Sequence, residues 1–215
     1  MKCAKILLPI AIGLAVSSAS ADVLVEGVVA LPPPKTGSAA QARYAQKSAA
    51  VAAPELPAAV VYLEGSVSIP AAPAKITVEQ KGFQFSPMLL PVLKGTEVEF
   101  PNRDDDYHHV FSYSKSKEFD LGRYRKDEKP PPIRFDKPGT VRVGCEIHDH
   151  MRAVVLVLET PYFCKTDEKG AYQLAIKGPL AGSFVLKAWI NDKTLREEKV
   201  ELKDGAKLKV DFPSK

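Results

Sequence analysis

The sequence predicts an all-β protein built from two small sandwiches. Apolar and polar residues alternate over short runs, as they do in strands with one buried face. Turn residues separate these runs at intervals of roughly 8–12 residues, which is typical of antiparallel sandwiches. Beyond Glu159 the strand pattern starts again and continues to the end of the 215-residue chain. We therefore expect two packed β units rather than one.

Residues 1–21 have the pattern of a secretory signal peptide. A short basic stretch, Met1 to Lys5, precedes an apolar core from Ile6 to Val16, and Ala19-Ser20-Ala21 supplies the small residues of a cleavage site. The apolar core is too short to span a bilayer comfortably, and the alternative is a retained membrane anchor. We expect a mature chain that begins at Asp22, has no membrane span and is exported, to the periplasm in a bacterium.

The composition limits the kinds of partner. The chain has 30 Lys and Arg residues against 26 Asp and Glu residues. This near balance argues against a nucleic-acid interface, which needs a strongly basic surface. Only Cys145 and Cys164 lie beyond the signal peptide, so the fold is not a disulfide-built scaffold.

Strands are predicted on both sides of a low-complexity segment near the N-terminus. Val23 to Val29 and Ala59 to Leu63 are apolar strands, and the Ala- and Pro-rich segment between Pro32 and Pro57 is typical of an exposed loop. A short helix at 41–53 is the one regular element that we consider within it.

The middle of the chain combines strands with two polar segments. Phe83 and Phe85 are expected to anchor the core. Asn102 to Tyr107 is predicted to be a solvated turn. Lys115 to Pro132 is charged and rich in proline, and it is predicted to be a long surface connection.

Three possible metal donors of different kinds, Cys145, His148 and Met151, lie three residues apart. A pair of imidazoles, His108 and His109, precedes them in the sequence. Two histidines and one cysteine with a weak methionine bond are the donor set of copper sites that transfer single electrons. Strand alternation places His108 and His109 on opposite faces, so only one of them can join the other donors.

The predicted strands around this motif favour a rigid site. Alternation along Val141, Val143 and Cys145 places these side chains on one face of a strand, and the apolar run Ala153 to Leu158 predicts a buried strand after the loop. The alternatives are an unrelated structural thiol at Cys145 and a disulfide between Cys145 and Cys164.

The sequence between Ile76 and Glu159 resembles the cupredoxins, the small blue-copper proteins. The residues that carry the resemblance stand in the order found in that family: Phe85-Ser86-Pro87, Gly95 to Phe100, Asn102, His108-His109-Val110 and Cys145 to Met151. The short Cys-x-x-His-x-x-Met loop is similar to that of the amicyanins and shorter than that of the plastocyanins.

This resemblance implies a Greek-key β-sandwich that holds one type 1 copper ion. Its ligands would be His108, Cys145, His148 and Met151, and His150 is a further candidate in place of Met151 or His148. The resemblance also implies a monomeric electron carrier, not an enzyme, whose redox partner is a protein such as a cytochrome c or a dehydrogenase. The alternatives are a copper-binding or delivery protein without electron transfer and a metal-free scaffold.

The remaining sequence resembles a carboxypeptidase-regulatory-like or Cna-B-like sandwich, a small Ig-like module without peptidase chemistry. Gly27-Val28-Val29, Ala59-Val60-Val61 and Thr166 to Gly170 carry this resemblance. The two modules together are found in proteins of the methylamine-utilisation type. We divide the chain into a signal peptide (1–21), N-terminal strands with their loop (22–73), the cupredoxin domain (74–159) and the second sandwich (160–215). Residues 22–73 are expected to complete the second sandwich, so that the cupredoxin domain is inserted into it.

Overall fold

A computed structural model of the chain describes residues 22–34, 55, 57–64, 75–177 and 180–214. The predicted signal peptide (1–21) and the predicted short helix at 41–53 lie outside these residues. Every regular element in the described residues is a strand, so the predicted all-β class is confirmed. The strands are β1 (Val23–Val28), β2 (Val60–Glu64), β3 (Ile76–Thr77), β4 (Glu79–Gln80), β5 (Phe85–Ser86), β6 (Leu89–Leu93), β7 (Glu97–Glu99), β8 (His108–Ser114), β9 (Lys117–Tyr124), β10 (Ile133–Arg134), β11 (Gly139–Cys145), β12 (Arg152–Leu158), β13 (Phe163–Lys165), β14 (Ala171–Ile176), β15 (Gly182–Asn191), β16 (Thr194–Leu202) and β17 (Lys207–Lys209).

Strands β3 to β12 form one unit, which we call the central sandwich. Its larger sheet has the order β6-β12-β11-β8-β9, and a smaller sheet has the order β10-β7-β3. A hairpin of β4 and β5 adds to it. One hydrophobic core joins the two sheets and contains Phe85, Val98, Val110, Val143 and Val155. Buried residues alternate with less buried ones along β7 and β8, as expected for strands with one buried face, whereas β12 is buried almost throughout.

Strands β1, β2 and β13 to β17 form a second unit, which we call the outer sandwich. Its sheets have the orders β14-β1-β17 and β13-β2-β15-β16. Val25, Leu63, Leu174, Leu186 and Phe212 lie in its separate core. β1 and β2 precede the central sandwich in the sequence, yet each lies between two strands that follow it.

The two sandwiches contact each other through a small third cluster. Val60 of β2 packs with Leu156 and Leu158 of β12, and Trp189 borders this cluster. An ion pair between Arg142 and Asp192 also links the two units. The larger sheet of the central sandwich is therefore held against the outer sandwich on the side of β12.

The long surface connection predicted between Lys115 and Pro132 is wrong for its first half. Residues 117–124 form β9, which pairs with β8 from His108↔Tyr124 to Ser114↔Lys117. Because β9 is an edge strand with charged residues on its outer face, its weak alternation around Phe119 resembles that of a polar loop. Among the described residues, no helix has the length and apolar character needed to cross a membrane.

Candidate metal centre

Two neighbouring strands and one turn bring the predicted donors together. β8 and β11 are adjacent and antiparallel, with Cys145 opposite Val110. His108, two residues before Val110, therefore points to the same inner face as Cys145. The turn that begins after Cys145 returns His148 to this position and leads to Met151, just before β12.

The side-chain atoms of His108, Cys145 and His148 converge in the core. One donor atom from each of these residues lies within 4.8 Å of the other two. The Cys145 Sγ atom is 3.6 Å from Nδ1 of His148 and 3.9 Å from Nδ1 of His108, and the two Nδ1 atoms are 3.1 Å apart. His108 is 0% exposed, Cys145 1% and His148 6%. Three soft or borderline donors thus face one small, buried position.

Backbone hydrogen bonds fix the turn that carries these donors. The Met151 N–H donates to the His148 carbonyl (2.9 Å), and the Cys145 N–H donates to the Met151 carbonyl (3.3 Å). The Glu146 N–H donates to the His109 carbonyl of β8 (3.0 Å). Met151 itself is 1% exposed and belongs to the same core as Cys145. The loop is therefore held from both ends by the sheet.

The surroundings of Cys145 favour its thiolate form. Burial alone would raise the pKa of this thiol, but hydrogen bonds from His108, His148 and the backbone N–H groups of His109 and Ile147 lower the pKa to about 5. The His109 N–H lies 3.4 Å from the sulfur. A thiolate is the form of cysteine that binds metal ions.

Asp104 is a site residue that the sequence analysis missed. Its Oδ2 accepts a hydrogen bond from Nε2 of His108 (3.0 Å) and another from the Phe83 N–H (3.0 Å), while its Oδ1 accepts from the Gly82 N–H (2.7 Å). Burial alone would raise the pKa of Asp104, but the hydrogen bonds from His108 and from these two N–H groups lower it. Because the carboxylate holds the Nε2 proton of His108, loss of the Nδ1 proton would leave the Nδ1 lone pair free to bind a metal ion.

The predicted solvated turn at Asn102 to Tyr107 is therefore only partly correct. The Asp105 side chain is exposed, but Asn102 is 1% exposed and bonds to the backbone oxygens of Asp106 and Tyr124. The one signal in the sequence was the spacing of four residues between Asp104 and His108. That spacing alone does not distinguish a buried carboxylate from an exposed one.

The other two histidines have partners elsewhere. His109 points to the outer face of β8, where its Nε2 bonds to Asp120 of β9. His150 donates from Nε2 to the Phe83 carbonyl oxygen (2.9 Å). Cys164 and Cys145 are both free thiols, so the alternative of a disulfide between them is not found.

This all-β chain with a buried His-Cys-His group was compared with known proteins. No protein-family model matches the sequence, and no curated protein matches it. Several solved structures are similar, and they are copper proteins by their descriptions. A copper-containing nitrite reductase from Thermus scotoductus SA-01 has 24% identity over 62% of this chain and 28% of its own, with a TM-score of 0.38.

Two smaller proteins are each similar to less than half of this chain. Amicyanin from Paracoccus versutus has 22% identity over 42% of this chain and 85% of its own, with a TM-score of 0.35. A purple cupredoxin from Nitrosopumilus maritimus has 20% identity over 40% of this chain and all of its own, with a TM-score of 0.32.

The prediction that the chain is not an enzyme is wrong on this comparison. The nitrite reductase that matches is an enzyme, and this chain spans only 28% of its length. A cupredoxin-like unit can therefore be a domain of an enzyme.

Proposed function

We propose that the central sandwich binds one copper ion through His108, Cys145 and His148, with Met151 as a weaker fourth ligand. The observation that carries this proposal is the convergence of one thiol and two imidazoles within 4.8 Å in a buried position. The donor set fits copper because sulfur and imidazole together match its preferences in both oxidation states. The low pKa of Cys145, about 5, supplies the thiolate at neutral pH.

The proposed activity is transfer of single electrons. Bound copper would supply a centre that gains and loses one electron without other chemical change. The protein's own contribution is to hold the donors still: β8 and β11 fix His108 and Cys145, and the bonded turn fixes His148. Of the three converging donors, His148 has the greatest exposure, 6%, so it is the proposed exit for the electron.

The wider setting is also proposed. The leader pattern at residues 1–21 supports export, and the donor set supports a one-electron redox protein, such as a cytochrome c or a dehydrogenase, as partner. The pairing of β1 with β14 and β17, and of β2 with β13 and β15, supports insertion of domain 74–159 into a sandwich made from 22–73 and 160–215.

The test is the visible spectrum of the purified protein with one equivalent of Cu(II). We expect a strong thiolate-to-copper absorption that Cys145→Ala abolishes and Cys164→Ala leaves unchanged, with both variants folded by circular dichroism. Copper binding without this absorption would favour a copper-delivery protein over an electron carrier. If the parent protein binds no copper, the remaining alternative is a metal-free scaffold.

A further inference from the structure

Phe83 has a backbone conformation that phenylalanine rarely adopts. Its φ is +56°, and Gly82 before it has a φ of +64°. The two residues form the tip of the β4–β5 hairpin, where the Lys81 N–H donates to the Gln84 carbonyl (3.0 Å). Tight turns with two positive φ angles favour Asn and Gly. A bulky side chain in this conformation costs stability, and such strain is often found where a side chain has a functional role.

Hydrogen bonds hold the strained tip from two sides, one near His108 and one near His148. Asp104, which bonds to His108, accepts hydrogen bonds from the N–H groups of Gly82 and Phe83. From the other side, Nε2 of His150 donates to the Phe83 carbonyl oxygen. Asp104 lies four residues before His108, and His150 lies two residues after His148. The hydrogen bonds of Asp104 and His150 therefore join the tip to the two segments that carry the histidine donors.

The ring of Phe83 packs against both imidazoles. Its edge-to-face contacts have centroid distances of 5.2 Å to His148 and 5.9 Å to His108. Phe83 is 7% exposed and His148 is 6% exposed, whereas Cys145 is buried almost completely. The Phe83 ring therefore lies between the two imidazoles and the surface side of this part of the core.

We propose that Phe83 is a fastened lid that closes the His108–Cys145–His148 pocket to small molecules from solvent. His150 and Asp104 hold the lid in place, and the left-handed backbone aims its ring at the two imidazoles. The molecules excluded are thiol reagents, small anions and free imidazole. The inference rests on the proposed function only in taking this pocket as the metal site, and its main test needs no metal.

The test is the rate at which iodoacetamide alkylates Cys145 in the metal-free protein at constant pH. Peptide mass mapping counts Cys145 separately from Cys164, whose rate serves as an internal reference. We expect Phe83→Ala to raise the Cys145 rate by about tenfold, because the two ring contacts that hold the closed form are lost. Phe83→Gly should raise it too, although glycine relieves the strained backbone. His150→Ala should give a smaller rise, and His150→Gln, which can still donate, should fall nearer to the parent.

Phe135→Ala is the matched control, because Phe135 is buried in the same core but packs beside Phe119. Urea unfolding of each variant gives the alkylation rate that global unfolding alone would produce. The proposal that Phe83 is a lid would be wrong if Cys145 in Phe83→Ala were alkylated within twofold of the parent rate. It would also be wrong if the rate were no greater than global unfolding explains. If the protein binds no copper, the proposed function fails, but the alkylation rates still test whether Phe83 shields Cys145.

With copper bound, a second measurement applies. Added azide should change the visible spectrum of Phe83→Ala and leave that of the parent unchanged. An unchanged spectrum in both would contradict the exclusion of anions by Phe83.

Discussion

At the scale of single residues, strand alternation separates the roles of neighbours that are chemically alike. His108 and His109 are adjacent imidazoles, but one is 0% exposed beside Cys145 and the other bonds to Asp120 on the outer face. Cys145 and Cys164 differ in a similar way. The pKa of one thiol is lowered by hydrogen bonds, and the pKa of the other is raised by burial.

The two histidines give a paired prediction. His108→Ala should abolish the thiolate-to-copper absorption, because it removes one of the three converging donors. His109→Ala should keep the absorption, since its backbone N–H to Cys145 does not depend on the side chain. Visible spectra of the two variants with one equivalent of Cu(II) measure this. The opposite pair of results would assign the ligand to His109.

Cys164 gives a prediction about pH. Burial raises the pKa of this thiol to about 11, so the folded state favours the neutral form. Its contribution to stability should be complete below the pKa of an exposed thiol, about 8.5, and should be lost as the pH rises through about 11. The difference in unfolding free energy between the parent and Cys164→Ala should therefore shrink with rising pH over this range. A difference that stays constant from pH 8 to 11 would show that the thiol is not shielded.

At the scale of elements, close backbone approach decides which residues a strand accepts. β1 runs between β14 and β17, and Gly27 pairs with Tyr172. A Cβ atom on Gly27 would lie 1.8 Å from the Val210 carbonyl oxygen. No side chain fits there unless the segment at Val210 moves away from β1.

Gly27→Ala should therefore destabilise the outer sandwich by about 3 kcal/mol. Trp189, the chain's single tryptophan, lies on β15 of this sandwich, so its fluorescence during urea unfolding reports the change. Val28→Ala is the control, because Val28 is 45% exposed and its loss should change stability by less than about 0.5 kcal/mol. Equal effects of the two substitutions would contradict the close approach.

At the scale of the whole molecule, the order of strands in the sheets differs from their order in the sequence. β1 separates β14 from β17, and β2 separates β13 from β15. Without β1 and β2, the strands of residues 160–215 lose these partners and leave edges unpaired. The central sandwich has a core of its own.

We therefore expect a fragment of residues 74–160 to fold and bind copper by itself. A fragment of residues 160–215 should remain unfolded, and mixing it with residues 22–73 should restore β structure. Circular dichroism of the three samples, with the visible spectrum of the first, measures this. A stably folded 160–215 fragment would refute the insertion.

The sequence by itself determined the class of fold and the candidate donors. Alternation with a period of two is a local property, and it was enough to predict the all-β class and the shared buried face of Val141, Val143 and Cys145. The spacing of Cys145, His148 and Met151 likewise predicted a short loop after a strand, because all three lie within one stretch of chain.

Only the tertiary structure decided what lies around those donors. Asp104 lies in a polar turn, and only the fold shows that its carboxylate is bonded to His108. Phe83 packs against His148, which is distant from it in the sequence. β9 was missed because an edge strand with one charged face has the composition of a loop. Such features depend on which surfaces meet after folding. The alternation of apolar and polar residues within a segment does not predict these contacts, because the side chains that make them contribute little to that alternation.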